Sequence, residues 1–249
     1  MSDNPVVLSA QGLSIAFGGL KVFSGLNLDL VRGERHAVIG PNGAGKSTFI
    51  GLVTGFLRPT AGRIQLNGQD ITQFDPAQRV RAGLGRTFQI NTLFPSLRTL
   101  EAVVLALCER DGLARPSLRP VAAHTAQQQE AVDILARFGL GEQALTVTRE
   151  LAYGQQRLLE VVLAFAMRPR VLLLDEPAAG LSTQQGRQLF EQLASLAKGT
   201  TLLFVEHDMN LVFTFADRVS VLAGGALIAQ GTPDEIRQDL QVRAAYLGH

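Results

Sequence analysis

The sequence predicts an α/β fold built around a parallel sheet, on three observations. A short apolar strand, Arg35–Ile39, runs into a glycine-rich turn, and Lys46–Leu57 then reads as a helix with Phe49, Ile50, Val53 and Phe56 on one face. A continuous apolar run, Val171–Leu174, has the pattern of a strand buried on both faces, and Thr201–Val205 repeats it. Between those runs lies a helical stripe of Leu189, Phe190, Leu193 and Leu196, opened by a Ser182 cap and closed by Gly199. Alternation of strand and helix in this way builds a parallel sheet covered by helices.

The other elements follow in order. Residues 6–31 alternate strongly enough for two or three strands, and Arg32-Gly33-Glu34 turns the chain into Arg35–Ile39. Arg63–Leu66 followed by Asn67-Gly68 is a strand ending in a hairpin turn. From Thr99 to about Ala144 the period becomes helical, as in Leu100/Val104/Leu107 and Val132/Leu135/Phe138, on either side of a loop with Pro116 and Pro120. That block reads as a helical insert. Leu151–Gln156 precedes an apolar helix, Leu158–Met167. After Thr201–Val205 come a short helix, a strand Arg218–Leu222, and a Gly224-Gly225 turn back into Ala226–Ala229. Thr232-Pro233-Asp234-Glu235 is a capping box with proline at the first helical position. The sequence contains no internal repeat, low-complexity tract or long linker.

Bulk properties narrow the function classes. The 249 residues suffice for one large α/β domain or a core plus an insert, and 46% hydrophobic with 18% charged is ordinary for a globular chain. A net charge of +1 gives no electrostatic footprint for nucleic acid. The longest apolar stretch, near Val161–Met167, is far short of a bilayer span, and the first residues lack the basic and apolar regions of a signal peptide, so a cytosolic chain is expected. Cys108 lies on a helical apolar face with Leu100, Val104 and Leu107 and reads as core.

Chemistry concentrates in three segments. Gly40-Pro41-Asn42-Gly43-Ala44-Gly45-Lys46-Ser47-Thr48 is a complete phosphate-binding loop. Gly40, Gly43 and Gly45 permit the tight turn that aims successive N–H groups at a triphosphate. Lys46 reaches the β- and γ-phosphates, and the Ser47 hydroxyl coordinates Mg²⁺. Val171–Pro177 ends an apolar strand in Asp175-Glu176, at the sheet edge where ligands bind. Asp175 suits Mg²⁺ and its waters, and Glu176 suits a general base for an attacking water. Leu151-Ala152-Tyr153-Gly154-Gln155-Gln156 puts a glycine-bearing turn at a helix start, an anion site or simply a cap.

With these residues the chain resembles, along nearly its full length, the nucleotide-binding subunits of ABC transporters. Leu151–Gln155 is similar to the family signature Leu-Ser-Gly-Gly-Gln. Gln89, in Arg86-Thr87-Phe88-Gln89, stands at the Q-loop glutamine, and His207, in Val205-Glu206-His207-Asp208, at the switch histidine. Phe17 lies where an aromatic stacks on adenine, although alone it also reads as core. The resemblance implies a RecA-like P-loop NTPase core of about residues 1–88 and 157–231, carrying an N-terminal antiparallel β subdomain. It also implies a helical subdomain of about 89–156 and a C-terminal tail of about 232–249. ATP with Mg²⁺, held by Ser47, Gln89 and Asp175, is implied to sit between one chain's phosphate loop and the signature residues Ala152, Gly154 and Gln155 of another, in a head-to-tail dimer. Gln89 and His207 are implied to sense the γ-phosphate. Two departures stand out: Ala152 replaces the signature serine, and Ser182 stands where the loop after Pro177 usually ends in Asp.

Narrower stretches resemble the ATP-binding subunits of branched-chain amino acid importers: Phe17-Gly18-Gly19-Leu20, Gly85–Gln89 with Leu93-Phe94, Tyr153–Arg157, and Ala245-Tyr246-Leu247-Gly248. The resemblance implies two permease partners, an external solute-binding protein, a second ATPase chain, and a peripheral place on the cytoplasmic face of the cell membrane. No nucleic acid partner is expected. Related systems for urea or amides, a lipopolysaccharide-type exporter, a non-transport ATPase and a regulator without turnover are the alternatives. Intact Lys46, Asp175, Glu176 and His207 speak against the last. Phe94, Pro95 and Leu97 read either as core or as a groove for a permease helix.

Overall fold

Two twelve-residue strands, β1 (Val6–Phe17) and β2 (Leu20–Val31), pair antiparallel across the Gly18-Gly19 turn. They are the alternating segment of residues 6–31, which makes two long strands rather than three. The computed structural model describes residues 5–87, 94–113, 124–196 and 199–247. β4 (Ala61–Leu66) pairs with β1 and turns at Asn67-Gly68, both in the left-handed region, into β5 (Gln69–Asp70). Two successive residues with positive φ are what a two-residue hairpin turn demands. The sheet order is β2-β1-β4-β5.

The second sheet has the order β10-β9-β3-β8-β7-β6. β3 (Arg35–Ile39), β6 (Leu84–Arg86), β7 (Val171–Asp175), β8 (Thr201–Val205) and β9 (Arg218–Ala223) run parallel, and β10 (Ala226–Gly231) closes the edge antiparallel. β7 and β8 are buried almost throughout, the burial that continuous apolar runs predict. β3 carries a fully buried His36, whose Nδ1 lies 3.0 Å from Glu34 and whose Nε2 lies 2.7 Å from the Ser220 hydroxyl. Ser220 is also fully buried and bonded by Gln230, so this acid–histidine–serine row locks β3 to β9 and offers no open nucleophile.

By internal contacts the chain divides into two compact units: Met1–Arg86, Arg170–Pro177 and Ala197–His249 form the first, and Thr87–Pro169 and Ala178–Leu196 the second. The first holds both sheets, α1 (Lys46–Thr54), α2 (Pro76–Arg81), α7 (Met209–Phe215), α8 (Pro233–Gln238) and α9 (Leu240–Leu247). The second holds α3 (Thr99–Arg110), α4 (Thr125–Arg137), α5 (Tyr153–Ala166) and α6 (Thr183–Leu196). Its core includes Val104, Leu107, Ile134, Leu135 and Phe138, whose ring meets Phe165 edge-on at 5.2 Å. Cys108 is buried there, and burial pushes its thiol up. Arg110, paired with Asp111 and Glu130, ties the end of α3 to α4. Among the described residues no helix is long and apolar enough to cross a membrane.

Three expected elements differ from the structure. α1 stops at Thr54 because Gly55 adopts the left-handed conformation, so Phe56 leaves the apolar face and is 58% exposed. Val132 is exposed, and Ala131 and Ile134 take the buried stripe of α4 with Leu135. α5 starts at Tyr153 rather than Leu158, so Gly154 belongs to its first turn and not to a turn before it. The loop with Pro116 and Pro120 lies outside the described residues.

Candidate functional site

β3 delivers the chain into the Gly40–Thr48 loop at the carboxyl edge of the parallel sheet, and α1 carries it away. The loop's shape is set by close packing. A Cβ on Gly40 would run into the Leu222 carbonyl oxygen, and one on Gly45 would come within 2.6 Å of the buried Phe23 ring. Gly43 and Gly45 hold φ of 79° and 99°. Both conformations cost an L side chain about 1–2 kcal/mol. α1 has no side-chain cap, so its first-turn N–H groups keep neither an intrahelical nor a capping partner. Lys46 is only 8% exposed and turns its ammonium onto the loop's own carbonyls, Gly40 at 2.6 Å and Pro41 at 3.1 Å. Burial lowers its pKa, and the Glu176 carboxylate acts in the opposite sense. Asn42 and Ser47 are exposed, Pro41 and Thr48 are half-buried, and Ala44 is buried with its N–H on the Pro41 carbonyl at 3.2 Å.

Asp175 ends β7, and Arg86, at the end of the neighbouring β6, reaches its carboxylate at 3.4 Å. The same guanidinium stacks over the Phe56 ring at 5.3 Å. Glu176 follows with φ 49°, a strained conformation for a residue that is not glycine, and its N–H is held by the Val205 carbonyl at 3.0 Å. That backbone turn aims the carboxylate at His207, with Oε1 and Nε2 2.8 Å apart and both side chains about half exposed. His207 sits between β8 and α7, the latter capped by Asp208. The sequence names Glu176 and His207 from separate motifs; the structure joins them. Phe17 ends β1 and is 48% exposed, which settles it as a surface aromatic and not as core. Gln89 lies outside the described residues.

The signature segment opens α5 in the helical unit. Ala152 is the N-cap residue and has no side-chain acceptor; instead the Gln155 side chain accepts from the Ala152 N–H at 3.1 Å. Gly154 has room, its Cβ position lying 3.4 Å from Leu181 and Gln185. Ser182 caps α6 as the sequence predicts, exchanging bonds with Gln185 at 3.0 and 3.3 Å. Phe94 is 46% exposed, so it does not serve as core. Three residues escape sequence reasoning: Arg86 on Asp175, Tyr153 beside the loop after Pro177, and the buried Arg79 at the far end of α1. Only Tyr153 left a signal, as the bulky third residue of a signature that is otherwise glycine there.

A lone phosphate loop with a strand-end carboxylate is common to many nucleotide-binding proteins, so the comparisons narrow the family. The ABC transporter model matches residues 23–179, and a model described as branched-chain amino acid ATP-binding cassette transporter matches residues 226–249. The chain is 40% identical to the high-affinity branched-chain amino acid transport ATP-binding protein LivG of Escherichia coli (strain K12), over 97% of this chain and 98% of that one. It is 38% identical to the corresponding protein BraF of Pseudomonas aeruginosa, with the same coverage. A crystal structure of an ABC transporter ATP-binding cassette in its ADP conformation superposes with a TM-score of 0.84 at 29% identity, covering 98% of this chain and 100% of that one. The chain belongs to the ATP-binding cassette family of ABC transporters, in the group of branched-chain amino acid transport ATP-binding proteins.

Proposed function

We propose that this chain binds and hydrolyses ATP as the motor subunit of a membrane importer for branched-chain or related amino acids. The observation that carries hydrolysis is the Glu176–His207 pair, set at 2.8 Å beside a complete phosphate loop. A nucleotide-binding regulator without turnover would have no use for a strained carboxylate held against an imidazole. The relatives' names carry the solute class.

In this reading the Gly40–Thr48 N–H groups and the Lys46 ammonium hold the triphosphate, and Phe17 offers its exposed ring to the base. Ser47 and Asp175 present hard oxygen donors, the set that suits Mg²⁺, with Gln89 as a third. The ion would neutralise charge on the β- and γ-phosphates. Glu176 accepts the proton of an attacking water, and His207, with Nε2 protonated, donates to Glu176 and fixes its direction. Ala152, Gly154 and Gln155 complete the nucleotide site of a second ATPase chain, the same or similar, in a head-to-tail dimer. Closure on ATP and opening after hydrolysis would drive the permeases on the cytoplasmic face of the membrane, with an external binding protein delivering solute.

Glu176→Gln tests the assignment. The variant should bind ATP, lose hydrolysis by about a hundred-fold or more, and accumulate as an ATP-bound dimer by size-exclusion chromatography. Normal turnover would sink Glu176 as the base. Purifying the tagged chain from native membranes with two permeases attached would support the importer; ribosomal or nucleic acid partners would refute it.

A further inference from the structure

The first turn of α5 and the loop after Pro177 are stitched together inside the helical unit. Tyr153 Oη donates to the Ala179 carbonyl at 3.2 Å. Its ring fills the space a Cβ on Gly180 would need, 2.8 Å from that position, and Gly180 holds φ 77°. Behind the ring stands the Arg157 guanidinium, 5.6 Å from its centroid and paired at 2.9 Å with the buried Glu160. One residue on, a Cβ on Gly154 would lie 3.4 Å from Leu181 and Gln185, and Gln185 closes the Ser182 cap. Glycine at position 153 could make neither the hydrogen bond nor the ring contact.

We propose that Tyr153 is a positioning residue that makes hydrolysis at the chain's own Glu176 depend on the nucleotide its signature receives from the partner chain. The inference rests on the head-to-tail ATPase reading. The segment Glu176-Pro177-Ala178-Ala179 runs without a break from the base to the carbonyl that Tyr153 holds, and Pro177 stiffens it by fixing its own φ. A phosphate arriving at α5 moves the first turn, Tyr153 carries the shift to Ala179, and the short tether passes it to the backbone of Glu176. That backbone is already strained at φ 49°, so a small displacement re-aims the carboxylate toward or away from His207. The signature and the base of one chain then act as one two-state element.

Tyr153→Phe in the full chain removes the hydroxyl and keeps the ring. One neutral hydrogen bond is worth about 2- to 10-fold in a coupled equilibrium. We expect kcat to fall by that factor and the Hill coefficient for ATP to move toward 1, with the KM and the melting temperature unchanged. Gly180→Ala, which displaces the ring through the backbone, should give the same kinetic change, and the double variant should be no worse than the worse single one. Unchanged kcat and Hill coefficient in Tyr153→Phe would overturn the inference, as would a fall in melting temperature with unaltered kinetics, which marks a packing role only. The Glu176→Gln chain runs alongside. If it fails to form an ATP-dependent dimer, the function reading falls and this inference with it. If it does form one and Tyr153→Phe behaves as wild type, the inference alone falls.

Discussion

The N-termini of α1 and α5 are the two helix starts that would face phosphate, and they are built in opposite ways. α1 begins on a left-handed Gly45 with no side-chain cap, whereas α2, α7 and α8 are each capped, by Asp75, Asp208 and Thr232. Its donors are therefore held in reserve, and its loop is fixed by contacts that leave no room for a Cβ at Gly40 or Gly45. α5 begins on Ala152, and Gln155 folds back to satisfy the Ala152 N–H. Gly154 has ordinary van der Waals room. The phosphate loop is thus shaped by its own packing, while the first turn of α5 takes its shape from contacts with the 178–185 segment.

Substituting the two glycines breaks this comparison most sharply. Gly45→Ala adds about 1–2 kcal/mol of left-handed strain and about 1–3 kcal/mol of overpacking against Phe23. The two sum to about 2–5 kcal/mol, and a loop that shifts to relieve them should lose nucleotide affinity by about 30- to 5000-fold. Gly154→Ala, with its Cβ in open contact distance, should leave that affinity unchanged. Fluorescent-nucleotide titration of both variants checks the pair, and equal losses would refute the asymmetry.

The far end of α1 supplies the next largest effect. Arg79, 1% exposed, donates to the carbonyls of Leu52 at 2.5 Å, Val53 at 2.7 Å, Thr72 at 2.9 Å and Phe74 at 3.1 Å. Burial pushes its guanidinium down to about 10, so it stays charged at neutral pH at the negative end of the helix dipole. α1 is therefore open at its N-terminus and saturated at its C-terminus. Arg79→Ala strands several buried acceptors and should cost about 2–4 kcal/mol in urea unfolding. Nucleotide affinity of the folded fraction should change far less.

How much of this was legible follows from what kind of signal each residue leaves. The phosphate loop, β7 with Asp175 and Glu176, and the Thr232 capping box are contiguous patterns, so the sequence places them to the residue. At the end of α1 the apolar period continues through Phe56, while the stop comes from Gly55 alone. At the start of α5 Ala152 cannot cap, so the usual Ser/Thr/Asp/Asn signal is missing. Arg79, Arg86 and the Glu176–His207 contact are long-range pairings that no local pattern encodes. An arginine near the end of a short helix reads as solvated, and only tertiary structure shows four carbonyls converging on it.

His207→Ala tests that long-range pairing and should act more weakly than Gly45→Ala. Without the imidazole, Glu176 keeps its strained backbone but loses the group that directs its Oε1. A fall in kcat of about 10- to 100-fold with unchanged ATP affinity is expected, at or below the low end of what a general base contributes. Loss of affinity instead would mean that His207 holds nucleotide directly.

Ser182→Ala sharpens the comparison at its smallest scale. Ser182 accepts from the Gln185 N–H, and Gln185 in turn accepts from the Ser182 N–H, so one exchange of bonds fixes the start of α6. Losing an N-cap costs about 1 kcal/mol, measurable as a small shift in the unfolding midpoint. Gln185 also touches the Cβ position of Gly154, so the same change loosens the wall against which the signature's first turn is set. Phosphate-loop binding should not respond, because Ser182 contributes nothing to the contacts at Gly40, Gly45 or Lys46. Any effect on turnover should therefore appear only when two chains are assembled. A variant that lowers turnover of the dimer while the isolated chain binds nucleotide normally would locate the adjustable half of the site in α5 and α6.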